Sequence, residues 1–260
     1  MGGEPVLHAG AYASAVLLDP EPAFAHVESQ TEPGDRRSLL ALWAACRDAH
    51  GGAYDYLELG SYLGGSLQVP IADPACRAIV SVDARTAHAP DVRGGWAYPD
   101  NDTAEMIERL RAVPGADLDK LTTFDARTDE LDPAAVGPVA QLGFVDAEHT
   151  PGAALADARF CRAAMGDAGA IVFHDRWMLY RGIRAFLRDL RGVPRRCYPL
   201  PDTLFVVELG PPWLAGDVLG AAHVGRSERL FACLAGASPT RAAALLRARD
   251  AIAAVRGRRP

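Results

Sequence analysis

The feature that most constrains this chain is a glycine-rich turn directly after a short apolar segment. Residues 54–66 read YDYLELGSYLGGS, so glycines stand at positions 60, 64 and 65, after the predicted strand Tyr54–Leu59. Glycine lacks a Cβ, which permits a sharp backbone turn and a close approach to a ligand. The next predicted strand, residues 78–82, leads to the acidic residue Asp83. This order of strand, glycine turn, helix, strand and acid predicts the nucleotide-binding end of a doubly wound α/β sheet.

The glycine turn differs from a dinucleotide-binding fingerprint at one position. That fingerprint reads Gly-x-Gly-x-x-Gly, and its middle glycine lets the backbone approach a pyrophosphate. This chain carries Tyr62 at the corresponding place. The difference favours a ligand that contains an adenosine and no phosphates.

The composition fits one globular domain. The 260 residues are 49% hydrophobic, which is enough to build a single large core. Within that domain we predict an N-terminal arm and helix (1–50), an α/β core (51–210) and a helical C-terminal extension (211–260). The net charge of −6 gives no reason to expect nucleic acid or a membrane surface as a partner.

The five cysteines are scattered and form no Cys-x-x-Cys pair, so neither a zinc ribbon nor a disulfide scaffold is predicted. We interpret them as small core residues of a protein in the reducing cytoplasm. No charged-then-apolar leader opens the chain, and no apolar run approaches the ~18–20 residues of a membrane span. A cytoplasmic location is therefore expected. The cysteines are Cys46, Cys76, Cys161, Cys197 and Cys233.

Strands and helices alternate along the core. Apolar residues at helical spacing predict a helix over 38–50, and Thr150 followed by Pro151 predicts the start of another helix. Only three residues separate the last two strands, so they should form an antiparallel hairpin. The predicted fold is a Rossmann-like, doubly wound, mostly parallel seven-stranded sheet with an antiparallel last strand. The strands are 54–59, 78–82, 121–124, 142–145, 170–173, 196–200 and 204–209; the other helices begin at Ser66 or cover 103–112, 151–165 and 181–191.

A resemblance to a known family rests on two blocks. The pattern ExGxxxGxS from Glu58 to Ser66, with an acid closing the second strand, resembles class I S-adenosylmethionine-dependent methyltransferases. The second block, residues 143–175, has a strand ending in Asp-x-x-His and a later strand ending in His-Asp. It looks like the branch of small-molecule O-methyltransferases and cephalosporin-hydroxylase-like proteins, which includes methyltransferase family 24. The resemblance covers residues 54–209.

The resemblance implies S-adenosyl-L-methionine as the cofactor. Asp83 would accept hydrogen bonds from the ribose hydroxyls, Glu58 would order the glycine turn and the amino end of the cofactor, and Asp125 would contact adenine. The usual Gly-Asp-Ser-like turn at the adenine position is replaced here by Asp125-Ala126-Arg127. The implied cofactor-binding residues are Glu58, Gly60, Ser61, Tyr62, Gly64, Ser66, Asp83, Asp125 and Asp146.

A second group of polar residues follows two other strands. Asp146 and His149 come after the strand 142–145, and His174 and Asp175 come after the strand 170–173. Ligands in open α/β sheets bind beyond the carboxyl ends of the strands, so these four side chains should meet in one crevice. Two carboxylates and two imidazoles suit a divalent cation. The alternative is that Asp146 and Asp175 only tether their loops.

The resemblance gives these residues roles. Related metal-dependent O-methyltransferases hold a cation with residues at the positions of Asp146, His174 and Asp175, and often carry an acid where this chain has His174. That departure suits Mn²⁺, Fe²⁺ or Zn²⁺ better than Mg²⁺. His149 matches a proposed base of related sugar O-methyltransferases, so His149 and Asp146 are the predicted catalytic residues.

Other residues have less specific predictions. Asp157 should form a structural ion pair, with Arg159 or Arg181, because it lies among apolar residues of a helix. A helix over 239–255, capped by Ser238, could pack on the domain edge, close as a lid or contact a second subunit of a homo-oligomer. Aromatic and Met side chains in loops could line an acceptor pocket or pack in the core; they are Trp96, Tyr98, Trp177, Met178 and Tyr180.

The predicted function is methyl transfer from S-adenosylmethionine to an oxygen of a small molecule, such as a sugar or another hydroxylated, natural-product-like metabolite. A divalent metal such as Mg²⁺ or Mn²⁺ and a histidine base would assist. Three alternatives stay open at this stage. They are N-methylation of a small amine, a hydroxylase-like partner protein that binds the cofactor without methylating, and a metal-dependent hydrolase or lyase that uses the same cluster.

Overall fold

A computed structural model of the protein describes residues 20–92, 94–137 and 140–214. These residues contain nine strands and five α-helices. The strands are β1 (Tyr54–Leu59), β2 (Cys76–Asp83), β3 (His88–Ala89), β4 (Trp96–Ala97), β5 (Leu121–Asp125), β6 (Leu142–Val145), β7 (Gly169–Phe173), β8 (Arg195–Pro199) and β9 (Phe205–Leu209). The helices are α1 (Pro33–Ala49), α2 (Gln68–Ala72), α3 (Thr103–Arg111), α4 (Pro151–Met165) and α5 (Arg176–Asp189).

Seven strands form one sheet in the order β5-β2-β1-β6-β7-β9-β8. The first five of these are mutually parallel, whereas β9 runs antiparallel to both β7 and β8. The predicted seven-stranded, mostly parallel sheet with an antiparallel last strand is therefore confirmed. Apolar side chains cover both faces: Tyr56 packs with Trp43 in one core cluster, and Leu57 packs with Phe173 in the other.

Two helices begin earlier than the sequence pattern predicted. Helix α1 starts at Pro33 rather than at residue 38, because proline fits the first turn and the backbone N–H of Gly34 is bound by the carboxylate of Asp202 at 2.7 Å. Helix α5 starts at Arg176 rather than at residue 181. Asp175 at its N-terminus has a left-handed backbone (φ +48°), which turns β7 into the helix within two residues.

The segment between β2 and α3 contains a feature that sequence reasoning missed. Strands β3 and β4 are only two residues each and pair antiparallel as a small ribbon. Asp91, within this ribbon, makes an isolated parallel bridge to His149, and Val92 donates its N–H to the His149 carbonyl at 3.1 Å. Two-residue strands carry too little pattern to be predicted, but this ribbon attaches directly to a predicted catalytic residue.

Several expectations concern residues outside the described part. The arm before residue 20 and the predicted helix over 239–255 lie there, as does Cys233. Of the four described cysteines, three are buried as predicted, but Cys197 is exposed on the edge strand β8. Among the described residues, none of the helices is long and apolar enough to cross a membrane.

The glycine turn packs against other parts of the backbone. A Cβ at Gly60 would fall on the backbone of Asp146 and Ala147, and one at Gly65 would fall on the carbonyl of Glu28. Gly60 also has a φ of +86°, which L side chains rarely adopt. Both glycines are thus required by close contacts between backbone segments: Gly60 lies against the end of β6, and Gly65 lies against residues 28 and 29.

Glu58 lies fully buried beneath this turn. Its carboxylate accepts hydrogen bonds from Ser66 Oγ at 2.7 Å and Tyr56 Oη at 2.8 Å. Burial raises its pKa to about 8, although the bonds from Ser66 and Tyr56 oppose that shift. Glu58 therefore connects β1 to the residue that follows the turn.

The contacts of Gly60 predict that Gly60→Ala destabilises the protein. The added Cβ must displace backbone at the end of β6 and accept an unfavourable φ, so the free energy of unfolding should fall by at least about 2 kcal/mol. Urea denaturation measures this change. Gly152→Ala is the control, since nothing lies within 4 Å of that Cβ, and it should have little effect. Equal stability of the two variants would contradict the prediction.

The raised pKa of Glu58 predicts a pH-dependent stability. The folded pKa near 8 exceeds the ordinary value of 4.5, so the stabilising contribution is complete below pH 4.5 and is lost as pH rises towards 8. The wild-type free energy of unfolding should fall by up to about 1.4 kcal/mol per pH unit in that window, relative to Glu58→Gln. Glu108→Gln, on the surface, should match the wild-type profile. Parallel profiles of Glu58→Gln and wild type would contradict the prediction.

Candidate active site

A cleft of about 450 Å³ opens at the carboxyl ends of the parallel strands. Its lining includes the glycine turn, Asp83 at the end of β2, and the residues that follow β6 and β7. Residues 28–32 and the β3–β4 ribbon line the remaining sides. Small-molecule sites usually measure roughly 300–1,000 Å³, so this cleft can hold a compact ligand.

Four predicted site residues meet in this cleft. Each of Asp146, His149, His174 and Asp175 offers one nitrogen or oxygen atom, and these four atoms lie within 4.8 Å of one another. His174 Nδ1 is 2.9 Å from Asp146 Oδ1 and 3.5 Å from Asp175 Oδ2. His149 Nε2 is 3.6 Å from Asp146 Oδ1 and 3.5 Å from Asp175 Oδ2. The predicted convergence of the two strand ends is thus observed; we call these four residues the His-Asp cluster.

Local structure explains how the His-Asp cluster forms. Asp146 directly follows β6, and its N–H is bound by the Leu59 carbonyl of the neighbouring strand. His174 continues β7 and donates its N–H to the Val145 carbonyl. Because β6 and β7 are parallel neighbours, their ends carry these side chains to the same point.

The electrostatics of the cluster are dominated by mutual attraction. Burial alone would raise the pKa of Asp146, but the His174 and His149 imidazoles outweigh it and lower that pKa to about 2. Burial would likewise lower the pKa of His174, yet Asp146 and the other neighbouring carboxylates raise it well above its ordinary value. The pKa of His149 is raised in the same way, chiefly by Asp146 against the effect of burial. The cluster therefore favours positive charge at its centre.

Each imidazole also faces a carboxylate outside the cluster. His149 Nδ1 lies 3.1 Å from Asp91 Oδ2, and His174 Nε2 lies 3.4 Å from Asp35 Oδ2. Both outer carboxylates are buried, and Asp35 also accepts bonds from the backbone and the hydroxyl of Thr203 at 2.8 Å. Sequence reasoning missed Asp35 and Asp91, since neither belongs to a motif and both come from elements far away in the chain.

Two of the imidazole nitrogens that point into the cluster have no hydrogen bond. His149 Nε2 and His174 Nδ1 are buried, and neither makes a bond of acceptable direction although carboxylate oxygens are near. These nitrogens have ion-pair contacts of 2.9–3.6 Å with the carboxylates but no well-directed hydrogen bond, and a bound ion would give both of them a directed partner. The donor set of the cluster therefore fits a divalent cation.

Asp83 is engaged by the protein itself. Its Oδ2 accepts bonds from the backbone of Ser61 at 3.0 Å and Tyr62 at 2.9 Å, which fixes the glycine turn. Its Oδ1 accepts a bond from the Arg85 backbone at 2.8 Å and a longer one, at 3.4 Å, from Asn101 Nδ2. A carboxylate has about four acceptor sites, so a ribose hydroxyl would have to displace the long Asn101 bond.

Three predicted cofactor residues do not line the cleft. Glu58 is fully buried, and Gly64 faces Leu110 and Met106 of the helical layer. Asp125 points away to the Thr103 hydroxyl, at 2.5 Å. The structure therefore places these three residues outside the cleft lining, and their contacts with a cofactor stay a prediction; the role of Glu58 in ordering the turn fits its hydrogen bonds. The predicted residues that do line the cleft are Gly60, Ser61, Tyr62, Ser66, Asp83 and Asp146.

Asp157 does not form the predicted ion pair. It accepts a hydrogen bond from Thr128 Oγ1 at 2.6 Å, and burial raises its pKa to about 6. Arg159 instead pairs with Asp189 at the surface, at 2.7 Å. A hydroxyl satisfies a protonated or ionised carboxyl equally well, which explains how Asp157 is accommodated without an arginine.

The aromatic and Met residues predicted near the acceptor pocket divide into two groups. Trp96, Tyr98 and Met178 line the cleft, and Trp96 is 44% exposed. Trp177 and Tyr180 instead pack against the apolar core on the other side of helix α5. Helical geometry accounts for this division, because residues two apart on a helix point in different directions.

Comparisons with known proteins bear on the fold. No protein-family model and no curated protein matches the chain. The solved structure of the O-methyltransferase NovP superposes with a TM-score of 0.55 and 15% identity, covering 77% of this chain and 95% of NovP. CalS11, a TDP-rhamnose 3′-O-methyltransferase of calicheamicin biosynthesis, superposes with a TM-score of 0.48 and 17% identity, covering 80% of this chain and 89% of CalS11.

At such low sequence identity, these similarities can show the fold alone. Of the two superpositions, only that with NovP has a TM-score high enough to support the fold. Neither protein is described as cephalosporin-hydroxylase-like, so that part of the resemblance stays a prediction. The strand order, the antiparallel β9 and the glycine turn after β1 agree with the same conclusion. The chain has a Rossmann-like fold, which it shares with the O-methyltransferase NovP.

Proposed function

We propose that this protein transfers a methyl group from S-adenosylmethionine to a hydroxyl oxygen of a small molecule. The observation that carries the proposal is that the glycine turn and the His-Asp cluster line one cleft and adjoin each other, at the ends of the neighbouring strands β1 and β6. The turn suits the methyl donor, and the cluster suits the acceptor hydroxyl. The fold shared with the O-methyltransferase NovP supports the same class of reaction.

S-adenosylmethionine fits the glycine-turn side of the cleft. The turn at Gly60 brings backbone and Ser61 to the cleft wall, and Asp83 stands at the end of β2, where an acid can accept ribose hydroxyls. The cofactor supplies a methyl group activated by its positively charged sulfur. The chain's own task is to hold the acceptor oxygen in line with that methyl group, since correct positioning lowers the barrier of a two-substrate reaction.

A divalent cation fits the His-Asp cluster. Asp146, His174 and Asp175 would hold it, as the sequence predicts, and the unpartnered His174 Nδ1 supports that role. A bound cation lowers the pKa of a coordinated hydroxyl. The acidic surroundings also favour a bound positive charge, because the three groups carry two negative charges when the imidazole is neutral.

Two roles fit His149. It can act as the base that takes the proton of the acceptor, as the sequence predicts, because Nε2 has no hydrogen bond. It can also bind the cation together with the other three residues. The distances of 3.6 Å to Asp146 and 3.5 Å to Asp175 favour the second role, since Nε2 points into the cluster.

The rest of the cleft suits a compact hydroxylated acceptor. Trp96 and Tyr98 provide flat apolar surfaces on one side, and residues 28–32 (ESQTE) provide polar groups on another. A sugar or a similar polyhydroxylated metabolite offers both an apolar face and several hydroxyls. The acceptor class is therefore proposed to be a sugar or a comparable hydroxylated metabolite.

The proposed reaction predicts that the purified protein converts S-adenosylmethionine to S-adenosylhomocysteine when a suitable glycoside or sugar nucleotide is present. Mass spectrometry should find S-adenosylhomocysteine and an acceptor that gained one methyl group on oxygen. Small amines tested in parallel should remain unmodified. Binding of the cofactor without turnover would favour a non-methylating partner protein, and metal-dependent hydrolysis without cofactor binding would favour a hydrolase.

The proposed role of Asp83 predicts a second measurable effect, on the affinity for the cofactor. Asp83→Ala should weaken S-adenosylhomocysteine binding at least about tenfold, because it removes charge-assisted hydrogen bonds and releases the glycine turn. Titration calorimetry measures the affinity. Asp48→Ala, which removes an exposed carboxylate of helix α1, is the control and should leave the affinity unchanged. Unchanged affinity of Asp83→Ala would remove this residue from the cofactor site.

A further inference from the structure

We infer that His149 is a fourth ligand of the proposed cation, and that the buried carboxylates Asp91 and Asp35 orient the two ligand imidazoles from outside. The cation is a nitrogen-preferring divalent transition-metal ion such as Zn²⁺, Fe²⁺ or Co²⁺. The inference rests on the cation site of the proposed function. It can nevertheless be tested by metal binding alone, without a methyl acceptor.

His149 is placed so that its Nε2 can bind the cation. Its Nε2 is buried, lacks a hydrogen bond and lies 3.5–3.6 Å from one oxygen each of Asp146 and Asp175. Its other nitrogen, Nδ1, faces Asp91 at 3.1 Å. An ionised carboxylate only accepts hydrogen bonds, so Nδ1 must donate and the lone pair of a neutral imidazole is left on Nε2. That lone pair points at the cluster.

The spacing of the four donor atoms supports a common ion. Four of the distances between imidazole nitrogens and carboxylate oxygens in the cluster measure 2.9, 3.5, 3.5 and 3.6 Å. Ligand atoms about 2.1 Å from one tetrahedral Zn²⁺ lie roughly 3.4 Å apart. These four nitrogen–oxygen distances are close to the separation that a shared cation requires, and all four donor atoms lie within 4.8 Å of one another.

The two outer carboxylates are placed so that they can orient the imidazole rings. Metal-ligating histidines nearly always donate their other N–H to a carboxylate, a carbonyl or water, which fixes the ring and raises its basicity. The side chains of Asp91 and Asp35 are 1% and 0% exposed and face Nδ1 of His149 and Nε2 of His174. Asp35 is itself fixed by bonds from Thr203 and Leu204. His149 therefore has the hydrogen-bonded outer partner that a ligand histidine requires, and His174 has a carboxylate 3.4 Å from its outer nitrogen that a small ring rotation would bring into a hydrogen bond.

The donor set selects the kind of ion. Two imidazoles and two carboxylates suit Zn²⁺, Fe²⁺ or Co²⁺, whereas Mg²⁺ prefers oxygen ligands alone. Charge favours a bound cation of either kind: the two buried outer carboxylates and the two partly exposed inner ones bring four negative charges, and two imidazoles can supply at most two positive ones. A ligand nitrogen has no free lone pair for a proton, so this assignment replaces the base role predicted for His149.

The first experiment uses Co²⁺ with the wild-type protein. Calorimetry should find one Co²⁺ per chain, with Mg²⁺ binding at least about 100-fold more weakly, as expected for a site with nitrogen ligands. X-ray absorption fine structure of the Co²⁺-loaded protein should count two imidazole ligands. Equal affinity for Mg²⁺ and Co²⁺, a count of one imidazole, or no Co²⁺ binding would each overturn the inference.

Variants separate the ligand from its positioning residue. His149→Ala should weaken Co²⁺ binding at least about tenfold and reduce the imidazole count to one, whereas His50→Ala, at the exposed end of helix α1, should leave both unchanged. Asp91→Asn should weaken Co²⁺ binding by about 10–100-fold while the count stays at two. Asp129→Asn is its exposed control. Wild-type Co²⁺ affinity in a folded Asp91→Asn protein would remove the positioning role.

Failure of the inference and failure of the proposed function give different results. If Co²⁺ binds with two imidazoles but no methyl transfer occurs, the cation site stands and the proposed reaction falls. If methyl transfer continues in excess EDTA with no metal detected, the reaction stands and the cation site falls. His149→Gln with normal Co²⁺ binding would return His149 to the role of a base.

Discussion

The structure depends most on two imidazoles enclosed by four carboxylates at the ends of β6 and β7. His149 and His174 lie between Asp146 and Asp175 on the inside and two buried carboxylates, Asp91 and Asp35, on the outside. Charged groups buried in this way are costly unless each one is paired, so their partners must be held in place. This requirement explains why helix α1, the β3–β4 ribbon and the β8–β9 turn all meet at one corner of the sheet.

The glycine-turn side of the cleft is organised by a different kind of contact. There the backbone approaches other backbone at Gly60 and Gly65, and Asp83 collects the free N–H groups of the turn. Glu58 supports the turn from below, in a dry environment that keeps its pKa high. The glycine-turn part of the cleft is thus shaped by steric fit and hydrogen bonds, and the His-Asp cluster is shaped by the attraction of opposite charges. This division suits a reaction between an adenosine-containing donor and a polar acceptor.

Sequence patterns predicted the elements well where the signal was local. Helix α4 and strand β6 have the predicted bounds, since a Thr-Pro start and a short apolar run state them directly. The starts of α1 and α5 were wrong because their first turns are fixed by Asp202 and by the left-handed Asp175, which are tertiary and backbone effects. Asp125 was assigned an adenine contact from its position in the family resemblance, and Asp157 an ion pair from its apolar surroundings; packing gives both of them threonine hydroxyls.

The sequence by itself determined that Asp146, His149, His174 and Asp175 would meet. Each follows a strand of a parallel sheet, and the carboxyl ends of neighbouring strands lie together whatever surrounds them. Only the tertiary structure decided which carboxylates face the outer nitrogens of the two histidines. Asp35 and Asp91 reach them through helix packing and through a ribbon of two-residue strands. Neither carries a local pattern, because their role depends on contacts across more than a hundred residues for Asp35 and tens of residues for Asp91.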